Sequence, residues 1–298
     1  MRSPIVQRMA ICPEILDRMS TPTLSIGLII IGDEILSGKR EDKHLNQVIQ
    51  ILAARGLSLA WAEYVGDDPQ RITAVLTRAL ASGHLVFSCG GIGATPDDHT
   101  RQCAAQAWGV PLALHPQARI WITERMRDVA AEQGVALDLD SPENLRRLEM
   151  GVFPQGADVI ANPYNKIPGF ACATISKAPA HPHAGVYFVP GFPVMAWPMI
   201  ESVLDNRFAD VFERNPLTEQ SVIVLGAMES VLIPLMQRIE AEHSDIKVFS
   251  LPSVDHPQWG KHIELGVKGA PDRVRAAYAD LIGSLTAMKI PLGPELVR

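Results

Sequence analysis

Three apolar runs, each closed by a glycine-rich or acidic loop, constrain this chain more than any other feature. Residues 24–31 (LSIGLIII) are almost unbroken apolar sequence, and residues 57–65 and 85–89 repeat the theme. The first reads as a strand buried on both faces of a parallel sheet, residues 57–65 as a second strand and residues 85–89 as a third, buried one. The segments between them read as helices. Asp42 caps one that gathers Leu45, Val48, Ile49 and Leu52 on one face, and Gly56 ends it. Asp68-Pro69 opens a second, which gathers Ile72, Val75, Leu76, Ala79 and Leu80 and stops at Gly83. A β-α-β-α-β series with short connections implies right-handed crossovers and helices on both faces of a mostly parallel sheet, a three-layer α/β fold.

Helices are predicted over residues 116–133, 141–150 and 194–212, with loops and short strands over 151–193. The rhythm changes after Asn215-Pro216. Strands at 220–225, 246–251 and 262–267 alternate with helices at 229–240 and 271–288, a β-α-β-β-α unit. The expected organisation is an extension over residues 1–22, an α/β domain over 23–214 and a small α+β domain over 215–298. Pro4, Pro13, Glu14 and Asp17 interrupt any apolar signal region, and no run reaches the roughly 18–20 apolar residues of a membrane span. A cytoplasmic protein without a membrane partner is expected. Lys plus Arg number 27 against 33 Asp plus Glu, a formal charge of −6, so no bulk attraction to nucleic acid is expected either. Cys12, Cys89, Cys103 and Cys172 form no CxxC pair and are expected to be reduced, buried thiols. His181-Pro182-His183 is read as an exposed loop rather than a metal site.

Ligands of such sheets bind beyond the carboxyl ends of the strands. There the chain reads GDEILSG from Gly32, VGDDP from Val65 and GGIGATPDDHT from Gly90. Glycines after a strand let backbone approach a ligand closely, and a following helix N-terminus attracts anions. Thr95-Pro96 reads as the cap and first turn of that helix, with Asp98 completing a capping box. Asp33, Glu34, Asp67, Asp68, Asp97 and Asp98 crowd one sheet edge, a costly arrangement unless a cation joins them. Mg²⁺ bridges carboxylates and phosphate oxygens, so a phosphate-and-metal cradle is the functional reading. A glycine turn with acidic helix caps is the plainer one. Lys39 and Arg40 stand where they could meet a phosphate or simply form a solvated turn.

The series GDEILSG, DKHLNQVIQILAARG, YVGDDPQRI and CGGIGATPDDHT resembles the molybdopterin-binding domain family, in particular the branch forming the N-terminal part of competence/damage-inducible proteins. Asn162-Pro163, Pro168-Gly169-Phe170 and the FVPGF segment ending at Phe192 extend the likeness. Gly226-Ala227-Met228-Glu229-Ser230 echoes the start of that branch's small middle domain. The resemblance implies that Asp33, Asp67 and Asp98 are catalytic, with Asp33 and Asp98 holding a divalent metal (Mg, Mn or Co). It implies that Gly90, Gly91, Gly93, Thr95, Thr100, Asn46 and Glu34 bind substrate or phosphate. The implied activity is metal-dependent hydrolysis of a nucleotide pyrophosphate such as ADP-ribose or a dinucleotide, in a homo-oligomer. Binding or activation of molybdopterin in cofactor biosynthesis is the alternative. Ala94 replaces the usual proline, Asn165-Lys166-Ile167 the usual Gly-Thr-Ala, and Val194 an expected glutamate. The last two departures favour a third reading, a catalytically silent nucleotide-binding protein.

Overall fold

The computed structural model describes residues 24–212 and 218–297. They fall into two compact units, residues 24–51 with 58–210 and residues 52–57 with 211–297. The expected extension over residues 1–22, Cys12 and the expected boundary at 214/215 lie outside the described residues.

The first unit carries β1 (Ile26–Ile31), β2 (Trp61–Val65), β3 (Leu85–Cys89), β4 (Leu112–Leu114), β5 (Val152–Pro154), β6 (Asp158–Ile160), β7 (Gly169–Ala173) and β8 (Gly185–Val189). Its helices are α1 (Asp33–Leu36), α2 (His44–Ala53), α3 (Pro69–Ala81), α4 (Thr100–Trp108), α5 (Pro116–Gln133), α6 (Pro142–Glu149) and α7 (Pro193–Arg207). Six strands form one sheet in the order β2-β1-β3-β8-β7-β6, and β4-β5 is a separate ribbon. β2, β1, β3 and β8 are mutually parallel, and β7 runs antiparallel to both its neighbours. The fold is thus a mostly parallel sheet with helices. β7 and β8, which fall in the stretch read from sequence as loops and short strands, join the central sheet, with β8 beside β3.

Alternation decides which side chains meet which helix, since successive strand residues face opposite sides. Ile29, Ile31, Val86 and Val186 share a core with Ile72, Val75 and Leu76 of α3 and with Cys103 and Ala104 of α4. Phe153, Phe170 and Phe188 stack through this core, with centroids 4.7 and 4.3 Å apart. The alternate residues Leu28, Ile30, Phe87 and Tyr187 are buried too. On that side Phe87 meets Tyr187 at 5.9 Å, and Tyr187 meets Phe208 beyond α7 at 5.8 Å. Gly27 lies opposite Trp61 in the register, and a Cβ on it would come within 2.1 Å of the indole. The glycine in β1 is therefore what admits the bulky residue of β2.

The helix caps follow the sequence with one exception. Asp42 accepts from the His44 and Leu45 N–H groups, and Asp68 from those of Gln70 and Arg71. The exception is the glycine loop. α4 begins at Thr100, with His99 at the cap position and no side-chain capping bond, so Thr95-Pro96 does not start it. Residues 32–38, read as a loop, contain the short turn of helix α1. Cys89, Cys103 and Cys172 are buried and free, as expected. His181 corrects the exposed-loop reading: it is 6% exposed and its Nε2 lies 3.0 Å from an Asp210 carboxylate oxygen.

The second unit contains β9 (Thr218–Leu225), α8 (Glu229–Glu242), β10 (Lys247–His256), β11 (Gly260–Gly269), α9 (Pro271–Ala287) and β12 (Leu292–Val297). The sheet order is β10-β11-β9-β12, all antiparallel, and none of these strands joins the six-stranded sheet. Val222, Val224, Leu265 and Val267 pack beneath Leu232 and Ile239 of α8 and Leu281 and Leu285 of α9. The sequence pattern missed β12, whose Gly293, Pro294 and Glu295 break any apolar run.

Candidate functional site

Beyond the carboxyl ends of β1, β2, β3 and β8 lies a cleft of about 430 Å³. It is lined by Gly32, Glu34, Arg40 and Asp67 from the first two strand ends. Residues 90–95 with Asp97 and Asp98 line it from the third, and Pro190 to Phe192 from the fourth. The three acidic loops therefore share one cleft.

The glycine loop is shaped from beneath by α4. Thr100, fully buried, donates its hydroxyl to the Gly90 carbonyl at 3.1 Å and its N–H to the Gly91 carbonyl at 3.0 Å. Arg101, 6% exposed, donates from Nη2 to the Gly93 carbonyl at 2.6 Å and from Nη1 to the Glu149 carbonyl. Among the described residues all peptide bonds are trans. In a planar trans peptide the N–H points opposite to the C=O. Clamping those three loop carbonyls onto α4 therefore turns the N–H groups of Gly91, Ile92 and Ala94 away from it. Among the described residues none of the three finds a protein acceptor. Three N–H groups left free in one loop at the edge of a cleft are donors available to an anion. The glycines are sterically required. Gly90 and Gly91 sit at φ 105° and 68°, and a Cβ would meet the Ile31 carbonyl at 2.3 Å or the Thr100 hydroxyl at 2.2 Å.

The carboxylates are organised by backbone. The Asp33 N–H donates to Asp67 Oδ2 at 2.9 Å, and the Asp67 N–H returns to Asp33 Oδ1 at 3.1 Å. This reciprocal pair ties the first two strand ends together. A Cβ on Gly66 would fall 2.4 Å from Asp33 Oδ1, so the glycine makes room for it. Asp98 Oδ2 accepts from the Thr95 N–H at 2.8 Å and the Thr95 hydroxyl at 2.6 Å, closing the 95–98 turn. Partial burial pushes the Asp67 carboxyl above the usual range. The bond from Asp33 opposes that shift, and the charges of Asp33, Glu34 and Asp97 reinforce it. Burial lowers the affinity of Arg101 for its proton, and the nearby Asp98 counters it.

The expected residues are thus distributed unevenly. Glu34, Asp67, Gly90, Gly91, Gly93, Thr95 and Asp98 line the cleft. Asp33 and Thr100 stand behind it and act on its lining. Asn46 is exposed on α2 and does not line it. Asn162, Asn165, Met195 and Phe192, which complete the opposite wall, were not assigned roles from sequence. The Asn162-Pro163 and Pro-Gly-Phe signals marked their loops without marking the side chains. Arg101 was missed as well, because a basic residue in the first turn of a helix gives no sign of burial.

Among the described residues no three His, Cys, Asp or Glu side chains are placed to hold a metal ion. Asp33 and Asp98 each already commit one carboxylate oxygen to backbone or hydroxyl donors. The described side chains by themselves do not form a cation cage. No described helix is long and apolar enough to cross a membrane.

Residues 27–210 match the family described as "Probable molybdopterin binding domain". A protein of Symbiobacterium thermophilum named "Putative competence-damage inducible protein" is 31% identical over 224 residues, covering 73% of this chain and 48% of that protein. The chain spans about half the length of that relative. A "CinA-like protein" of Nostoc punctiforme is 29% identical over 178 residues, covering 60% of this chain and 39% of its own length. The crystal structure of the protein CinA from Thermoplasma acidophilum, titled as of unknown function, superposes with a TM-score of 0.50. It is 26% identical and covers 62% of this chain and 98% of that one. The glycine loop and the strand-end carboxylates lie within the matched span, and the chain belongs to the molybdopterin-binding domain family.

Proposed function

We propose that the cleft binds the phosphoanhydride of a nucleotide and hydrolyses it. The observation that carries this reading is the set of three outward N–H groups on Gly91, Ile92 and Ala94, held by Thr100 and Arg101. Three amides fixed in one loop suit the oxygens of a phosphoryl group and the charge that grows on them during attack. Glu34, Asp67, Asp97 and Asp98 border the same cleft and would repel a bare phosphate. A ligand that brings its own divalent cation removes that repulsion. Mg²⁺, Mn²⁺ or Co²⁺ would be held mainly by phosphate oxygens and water, with the free oxygens of Asp67 and Asp98 facing its water shell. The cation would supply charge neutralisation. Asp67, whose proton affinity is raised, is the group suited to orient and deprotonate the attacking water.

Binding of a pterin phosphate, as the family description suggests, uses the same amides and is the second reading. Incubating the protein with ADP-ribose or FAD and each of the three cations separates the outcomes. Release of AMP supports hydrolysis. Tight binding without turnover supports a silent nucleotide-binding protein, and selectivity for a pterin phosphate supports the second reading. Asp98→Ala removes the acceptor that closes the 95–98 turn and is expected to abolish turnover. Asp97→Ala, whose carboxylate closes no turn, is expected to cost less.

A further inference from the structure

Resting on the phosphate reading of the cleft, we infer that Phe192 is the platform on which the ligand's planar heterocycle stacks. Phe192 stands at the cap position of α7 and is 55% exposed, an unusual setting for an aromatic ring inside a cleft. Its backbone is not free to drift. The neighbouring Gly191 carbonyl lies 3.0 Å from Nε2 of His44, which is 4% exposed. A Cβ on Gly191 would lie 3.4 Å from the Gly90 Cα. The ring therefore projects from a segment packed against the first glycine of the phosphate loop. A phosphate on that loop and a heterocycle on this ring are within reach of one small molecule.

The ring already attracts a planar cation. The Arg40 guanidinium sits 5.9 Å from the Phe192 centroid, and its Nη1 is 3.7 Å from Glu34. Arg40 is well exposed and loosely held, so a heterocycle can take its place on the ring and release the guanidinium toward phosphate. Polar and soft apolar atoms lie on the same wall. Asn165 Nδ2 is 3.4 Å from the Met195 sulfur, and Ile167 lines the cleft beside them. A flat, polarisable ring with hydrogen-bonding edges matches this wall, and an aliphatic sugar or bare pyrophosphate does not. The ligand class is a purine- or pterin-type ring carrying a di- or pyrophosphate.

The test is calorimetric binding of ADP and of inorganic pyrophosphate, both with Mg²⁺, to the full chain and to Phe192→Ala and Phe192→Trp. Stacking on an aromatic side chain contributes enough that Phe192→Ala should weaken ADP by at least about fivefold. Pyrophosphate affinity should stay unchanged. Phe192→Trp should retain ADP binding. Replacing ADP by 6-hydroxymethylpterin diphosphate tells whether the platform serves a purine or a pterin, since the true ligand loses more. Equal loss of ADP and pyrophosphate would overturn the platform and make Phe192 a support of the phosphate loop. No change in either would overturn it as well. If the unmodified protein binds neither, the phosphate reading itself falls, and the inference with it.

Discussion

Two acidic side chains in this protein, Asp67 and Asp280, sit in opposite electrostatic settings. Asp280 in the second unit accepts from both Arg238 guanidinium nitrogens at 2.9 and 3.1 Å and lies 3.1 Å from His243 Nε2. The Arg238 guanidinium, aided by His243, holds its carboxyl at about 2. Asp67 in the first unit forms no ion pair among the described residues and is neighboured by Asp33, Glu34 and Asp97, which with partial burial push it upward. The first arrangement balances its own charge and serves the fold. The second leaves negative charge unbalanced in the lining of the cleft, which singles out Asp67 as a candidate functional group. The pH signs differ accordingly. The contribution of Asp280 is present above the ordinary carboxylate value and lost as pH falls toward about 2. That of Asp67 is present below the ordinary value and lost as pH rises through its raised one.

The comparison has a third member beneath the cleft, and breaking it should have the largest effect. Arg101→Met strips the Gly93 and Glu149 carbonyls of their donor. Glu149 is exposed and Gly93 half-buried, so water replaces part of the lost donor and a loss of about 1–3 kcal/mol is expected in urea unfolding. Phosphate affinity should fall with it, and a variant of unchanged stability would show that Arg101 does not clamp the loop. Asp67→Asn comes next. It keeps an acceptor for the Asp33 N–H while deleting the charge. Metal-free pyrophosphate should bind more tightly, metal-supported turnover should be lost, and the variant should be the more stable protein above the carboxylate range. Equal affinity in calorimetry would mean that the acidic cluster does not act on the ligand. The smallest effect is expected for Asp280→Asn. A partly exposed network of this kind is worth about 0.5–1 kcal/mol, visible at pH 7 and absent near pH 2 in paired denaturation curves. A variant that instead changed ligand binding would erase the contrast between the two sites.

Much of the site could be read from the chain because it depends on local signals. A strand followed by Gly90-Gly91 and a strand followed by Gly66-Asp67 announce sharp turns at a sheet edge, and the parallel topology fixes which edge. The start of α4 could not be read. Thr95, Pro96 and Asp98 form a good helix-start pattern, yet Asp98 spends its carboxylate on Thr95, and Thr100 begins the helix two residues on. Local propensity cannot weigh the bonds that Thr100 and Arg101 make to the carbonyls of the loop. The placing of Asn46 outside the cleft lining has a related reason: its place on α2 follows from the motif, but its exposure follows from how the helix is rotated on the sheet.

The sequence by itself determined the alternation of buried strands and amphipathic helices, the glycines that their turns require, and the concentration of acid at one edge. These rest on periodicity, backbone sterics and topology, which act over a few residues or follow from chain direction. The tertiary structure alone decided that Asp33 and Asp67 exchange backbone bonds across 34 residues, and that Arg101 reaches Gly93 and Glu149 from below. It also decided that Phe192 stays half-exposed while its neighbour Gly191 packs on Gly90. Such pairings are set by which buried polar groups find partners once the sheet has closed, and no local pattern in the chain encodes that outcome.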